Sequence, residues 1–106
     1  MPNIIFIEPD GARKSVSAEI GQSIMEVAVQ NGVNGIDADC GGACSCATCH
    51  GYIDEKWRDR IESADSVELE MLDFAYMRAV GSRLTCQIKV VDDMDGLLIR
   101  LPEAQA

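Results

Sequence analysis

The chain has 106 residues, of which 18 are Asp or Glu and nine are Lys or Arg, for a formal net charge of −9. That length supports one domain with a single modest core, residues 1–106. So acidic a surface repels nucleic acid and anionic membranes and argues against both as partners, and no apolar run approaches membrane-spanning length. Met1-Pro2-Asn3 lacks the basic and apolar regions of a secretion signal, so the expected location is the cytoplasm. A highly charged monomer is the expected state.

Residues 3–8 read as a strand, with Ile5 and Ile7 on one face and Ile4 and Phe6 on the other, so both faces look covered. Pro9-Asp10-Gly11 is a turn. A more polar strand, Arg13–Ala18, follows at an edge and completes a hairpin. Ser23 and Glu26 fit a capping box that opens a largely buried helix, which Asn31-Gly32 ends. Gln22, Glu26 and Gln30 form its polar stripe.

Gly51–Asp54 reads as a short strand, and Glu55–Ile61 as a short helix or turn holding Trp57. A second helix is predicted from Asp65 or Ser66 to about Val80, closed by Gly81, with Leu69, Leu72 and Tyr76 on its inner face. Leu84–Val91 alternates Leu84, Cys86, Ile88 and Val90 against Thr85, Gln87, Lys89 and Val91, the pattern of a half-buried strand. Asp92–Gly96 is a polar turn, Leu97–Leu101 a last strand, and Glu103–Ala106 a frayed tail. Strands and helices do not alternate regularly, which predicts an α+β domain.

The chemistry concentrates in Cys40-Gly41-Gly42-Ala43-Cys44-Ser45-Cys46-Ala47-Thr48-Cys49-His50, which holds four of the five cysteines; the fifth is Cys86. An odd cysteine count without a secretion signal points to metal or redox work rather than disulfides. A two-iron, two-sulfide cluster needs four thiolates, two per iron, and is held in some proteins by C-x4-C-x2-C plus a distant cysteine. Here Cys40, Cys46 and Cys49 are spaced C-x5-C-x2-C, and Cys86 comes after a further 36 residues. Small residues between the cysteines let the backbone wrap closely, and Gly41 and Gly42 admit positive φ. Backbone N–H groups can then point at the sulfurs. Spacing alone would allow Cys44 in place of Cys46; the x2 gap before Cys49 favours Cys46. Zinc prefers two such C-x2-C pairs, and this chain has one.

These segments carry a resemblance. Asp39-Cys40-Gly41-Gly42, Cys46-Ala47-Thr48-Cys49-His50, Met71-Leu72-Asp73-Phe74-Ala75-Tyr76 and Ser82-Arg83-Leu84-Thr85-Cys86-Gln87-Ile88 resemble the [2Fe-2S] ferredoxins of the adrenodoxin and putidaredoxin type, in their bacterial form. The resemblance implies a β-grasp fold and one [2Fe-2S] cluster on Cys40, Cys46, Cys49 and Cys86. Cys44 is left as a free thiol. It also implies a one-electron carrier that is not an enzyme. A flavin-containing ferredoxin reductase fed by NAD(P)H would reduce it, and a haem-thiolate (cytochrome P-450 type) monooxygenase would take the electron. The runner-up acceptor is the iron–sulfur cluster assembly machinery. The oxidised cluster with its thiolates adds two negative charges, taking the protein to about −11.

Glu62, Asp65, Glu68, Glu70 and Asp73 follow one another with no Lys or Arg between them. Glu70 and Asp73 are a like-charge i, i+3 pair, which weakens an isolated helix by about 0.2–0.5 kcal/mol. Helix stability does not ask for that pair; docking on a basic partner explains it. The resemblance gives Glu70 and Asp73 the docking role. Asp39, beside the first ligand, is a second docking candidate and equally a residue that could cap or brace the loop. It also implies that Glu68, Arg83 and His50 form an internal brace.

Overall fold

The computed structural model describes residues 1–33, 50–73 and 78–102. Five strands, β1 (Asn3–Ile7), β2 (Arg13–Ser17), β3 (His50–Ile53), β4 (Ser82–Leu84) and β5 (Leu97–Arg100), form one sheet in the order β2-β1-β5-β3-β4. β1 and β5 run parallel, and every other pair is antiparallel. Helix α1 (Ile24–Gln30) packs its buried residues Ile24, Val27 and Ala28 into a core with Ile4 and Phe6 of β1 and Leu97 and Ile99 of β5. This is the β-grasp arrangement, α+β as expected.

The hairpin forms where its turn chemistry places it, and β2 is an edge strand. The expectation that both faces of β1 are covered needs correction. Ile4 and Phe6 are fully buried, whereas Ile5 and Ile7 are half-buried, because α1 covers only one face of the sheet there. Burying each such Ile or Phe contributes about 1.5–3 kcal/mol.

The capping box is present. Ser23 Oγ accepts from Glu26 N–H at 3.1 Å, and Glu26 Oε1 accepts from Ser23 N–H at 2.9 Å. The polar stripe closes with Gln22 Nε2 donating to Gln30 Oε1 at 2.8 Å. The helix ends at Asn31, and Gly32 takes φ of 66°. The backbone N–H of Ser23, followed by its hydroxyl, holds the Glu26 carboxyl below the usual range. A lowered folded pKa stabilises above the unfolded value and fades as pH falls through the folded one. Independently, removing the N-cap hydroxyl in Ser23→Ala is expected to cost about 1 kcal/mol in urea unfolding at pH 7. The stability gap between the natural protein and Glu26→Gln should shrink on acidification.

Two expectations fail for identifiable reasons. Helix α2 spans Ser66–Leu72 with Asp65 as its N-cap, so it stops well before Val80. Asp73 N–H bonds to Glu70 O at 3.3 Å, the tighter link common in a last turn. Residues 79–82 are needed for a turn into β4: Ser82 N–H donates to Ala79 O at 3.1 Å, and Gly81 takes φ of 90°. The inner face of α2 carries Glu68 and Leu72; Leu69 points outward at 45% exposure, and Tyr76 lies outside the described residues.

Likewise, residues 84–91 are not one strand. Leu84, Cys86, Ile88 and Val90 are buried as the alternation requires. However, Thr85–Gln87 is a 3-10 turn, and Thr85 is buried as well. The following backbone bonds to the entry of α1 instead of to a sheet neighbour. Ile24 N–H donates to Ile88 O at 2.9 Å, and Val90 N–H to Gln22 O at 2.8 Å.

Candidate metal centre

Of the four expected ligands, Cys86 falls within the described residues; Cys40, Cys46 and Cys49 lie outside them, as do Cys44 and Asp39. Cys86 sits in the 3-10 turn directly after β4 and is 5% exposed. Its Sγ accepts a hydrogen bond from Gln87 Nε2 at 3.4 Å. A buried sulfur provided with an N–H donor fits a thiolate that binds iron, since such donors offset its negative charge.

The segment that leads into Cys86 is held by the elements beside it. β4 pairs with β3, so Leu84 lies opposite His50 and Arg83 opposite Gly51. Gly51 has no side chain to spare room for: a Cβ there would lie 2.9 Å from Ile99 Cγ2 and 3.2 Å from Thr85 Cγ2. The residue before Cys86 thus packs directly on the β3 backbone. His50, the residue after Cys49, is fully buried at the start of β3.

A further support for this segment comes from α2. Glu68 is 1% exposed, and its carboxylate accepts from Arg83 Nε at 2.7 Å, Arg83 Nη2 at 3.0 Å and the Leu84 backbone N–H at 2.9 Å. Arg83 Nη1 also donates to Glu62 O at 2.6 Å. One carboxylate therefore ties α2 to the strand that leads into Cys86. The expected Glu68–Arg83 part of the brace is present. His50 Nε2 bonds to Ser82 Oγ at 2.8 Å. Ser82 Oγ also accepts from Ala79 N–H at 2.8 Å, linking the turn before β4 to β3. Nothing in the sequence pattern singles out Ser82 or Thr85; each matters because of what the sheet register sets beside it.

Glu70 is exposed on α2, and Asp73 is exposed at its C-cap. Among the described residues Glu70 has no ion-pair partner, whereas Asp73 pairs with Arg78. One of the two carboxylates expected to meet a partner is thus paired with a cation from beyond the acidic run.

The profile of the 2Fe-2S iron-sulfur cluster binding domain matches residues 7–91. The chain belongs to this family. It is a [2Fe-2S] ferredoxin of the putidaredoxin type, an electron-carrier protein and not an enzyme. The chain is 50% identical over 103 residues to ferredoxin CarAc of a Sphingomonas species, covering 97% of this chain and 94% of that one. The crystal structure of a ferredoxin from Rhodopseudomonas palustris matches with a TM-score of 0.95 and 44% identity, over 99% of this chain and 100% of the other. Putidaredoxin of Pseudomonas putida, as seen in the covalent putidaredoxin reductase–putidaredoxin complex, matches with a TM-score of 0.88 and 37% identity, over 94% and 97% of the two chains. The ferredoxin fold accounts for the placement of Cys86 at the end of a braced strand. Among the described residues no helix is long and apolar enough to cross a membrane.

Proposed function

We propose that this ferredoxin takes single electrons from an NAD(P)H-fed flavin ferredoxin reductase and delivers them to a haem-thiolate monooxygenase, as a cytoplasmic monomer. The observation that carries the reading is the likeness, through nearly the whole chain, to putidaredoxin captured on its reductase. Cys40, Cys46, Cys49 and Cys86 would hold the cluster, with Cys44 outside the ligand set. When bound, the cluster supplies a one-electron couple.

The chain's own residues then have three tasks. The four thiolates fix the iron; Glu68 and Arg83 keep the Cys86 segment registered on α2; and exposed carboxylates meet the partner. Glu70, Asp73 and Asp39 are assigned the last role. Glu70 contributes its full charge, while the Arg78 beside Asp73 must be displaced or shared on docking. Exposed charges of this kind govern the association rate more than the final affinity.

The experiment is the rate of reduction by a purified flavin ferredoxin reductase as ionic strength is raised. Charge reversal at both Glu70→Lys and Asp73→Lys is expected to slow reduction on the order of tenfold at low salt. The deficit should close near physiological ionic strength, where the Debye length is about 8 Å. Equal rates for both proteins at every salt concentration would remove α2 from the docking surface.

A further inference from the structure

Gln87 follows the buried Cys86, yet its own side chain is exposed. Its carboxamide nitrogen nevertheless turns back and donates to Cys86 Sγ at 3.4 Å. The local backbone makes this contact possible. In an extended strand, neighbouring side chains leave on opposite faces, and Gln87 would point away from the sulfur. The 3-10 turn Thr85–Gln87, with Ile88 N–H donating to Thr85 O at 3.4 Å, swings the two side chains toward each other. The departure from the expected strand is what gives Cys86 its side-chain donor.

We infer that Gln87 is a positioning residue that tunes the ferredoxin's reduction potential upward through its N–H···S bond to Cys86. The inference rests on the reading of Cys86 as an iron ligand. Accepting an electron adds one negative charge to the iron–sulfur unit, and a donor aimed at a ligand sulfur stabilises the more negative form. The group that donates is a neutral amide. It can favour the reduced state without adding a positive charge to the acidic surface. Because the donor lies at the surface and the sulfur is buried, the side chain can be exchanged without opening the core.

The test is an equilibrium redox titration of cluster-loaded protein carrying Gln87→Met or Gln87→Glu. Methionine keeps the length and removes the donor. Glutamate keeps the shape, cannot donate at neutral pH, and adds a negative charge. A single hydrogen bond changes an equilibrium constant by about two- to tenfold, and tenfold is about 59 mV for one electron. The expected order of potentials is natural protein highest, Gln87→Met lower by two- to tenfold in the equilibrium constant, and Gln87→Glu lowest. A Gln87→Met protein with an intact visible spectrum and the natural potential would overturn the inference.

A second measurement uses the natural protein alone. The Gln87 side-chain amide should show a hyperfine-shifted NMR resonance from spin carried through the N–H···S bond; an unshifted amide would also overturn the role. Cys86→Ser separates the two levels. If that variant keeps the full spectrum, the ligand reading fails. If it loses the spectrum while Gln87→Met leaves the potential unmoved, only the tuning role fails.

Discussion

Replacing Cys86 by Ser is expected to abolish most of the protein's visible absorption and iron content. Each iron of a two-iron cluster needs two thiolates, and serine offers a hydroxyl that stays protonated where a thiol is readily deprotonated. The packing change is small, because Ser and Cys are close in size and the site is already near the surface of the core at 5% exposure. A pure packing or polarity effect would leave a folded, coloured protein about 1–3 kcal/mol less stable. Loss of the cluster is a different result: metal-binding free energy is also folding free energy, so thermal unfolding should shift strongly and the colour should vanish together. Iron analysis and the visible spectrum of the purified variant decide between them. Replacing Cys44 by Ala, in contrast, should leave both unchanged.

The second large effect belongs to the Glu68–Arg83 pair. Arg83→Ala removes two of the three hydrogen bonds accepted by a carboxylate that is almost wholly buried. Breaking a buried pair in this way costs about 3–5 kcal/mol, a large share of the about 5–15 kcal/mol that holds a typical domain together. The two partners are unequal. The side-chain exposures are 14% for Arg83 and 2% for Glu68, so an unpaired Arg83 can reach water and an unpaired Glu68 cannot. Glu68→Gln keeps an oxygen for the Leu84 N–H and should cost clearly less than Arg83→Ala. Urea unfolding of the two cluster-loaded variants checks the order. Equal stabilities for Arg83→Ala and the natural protein would show that the pair does not brace Cys86.

Much of the frame was legible because local chemistry and tertiary packing agree there. Pro9-Asp10-Gly11 turns the hairpin, Ser23 and Glu26 cap α1, and Asn31-Gly32 ends it. The misreadings cluster where a residue's role is set from outside its own segment. Hydrophobic spacing put Leu69 on the inner face of α2, but the buried position belongs to Glu68, whose charge is accommodated by Arg83 from β4. Residues 84–91 alternate like a strand because alternate side chains are buried, yet part of their backbone is paired by the loop entering α1. A period of two reports burial and says nothing of the hydrogen-bond partner. The same limit hid Gln87, which counted as an outward-facing strand residue until the turn brought it onto Cys86 Sγ.

For the candidate site, the cysteine spacing indicates thiolate chemistry, and the family resemblance implies the full set of four thiolates. The structure adds the supports of Cys86: a 3-10 turn, a buried carboxylate and a glycine on the neighbouring strand. Those supports come from α2, from β3 and from the turn after β4, and no local pattern could assemble them.

This protein is expected to carry electrons one at a time. The most direct test is a reductive titration of the purified, cluster-loaded protein, followed by visible absorption and electron paramagnetic resonance. Two ferric ions hold an even number of electrons; one added electron makes the count odd. One equivalent per chain is expected to bleach the visible bands and bring up a half-integer-spin signal integrating to about one spin per chain. A protein that takes up no electron, or that needs two equivalents per chain without passing through that signal, would contradict it.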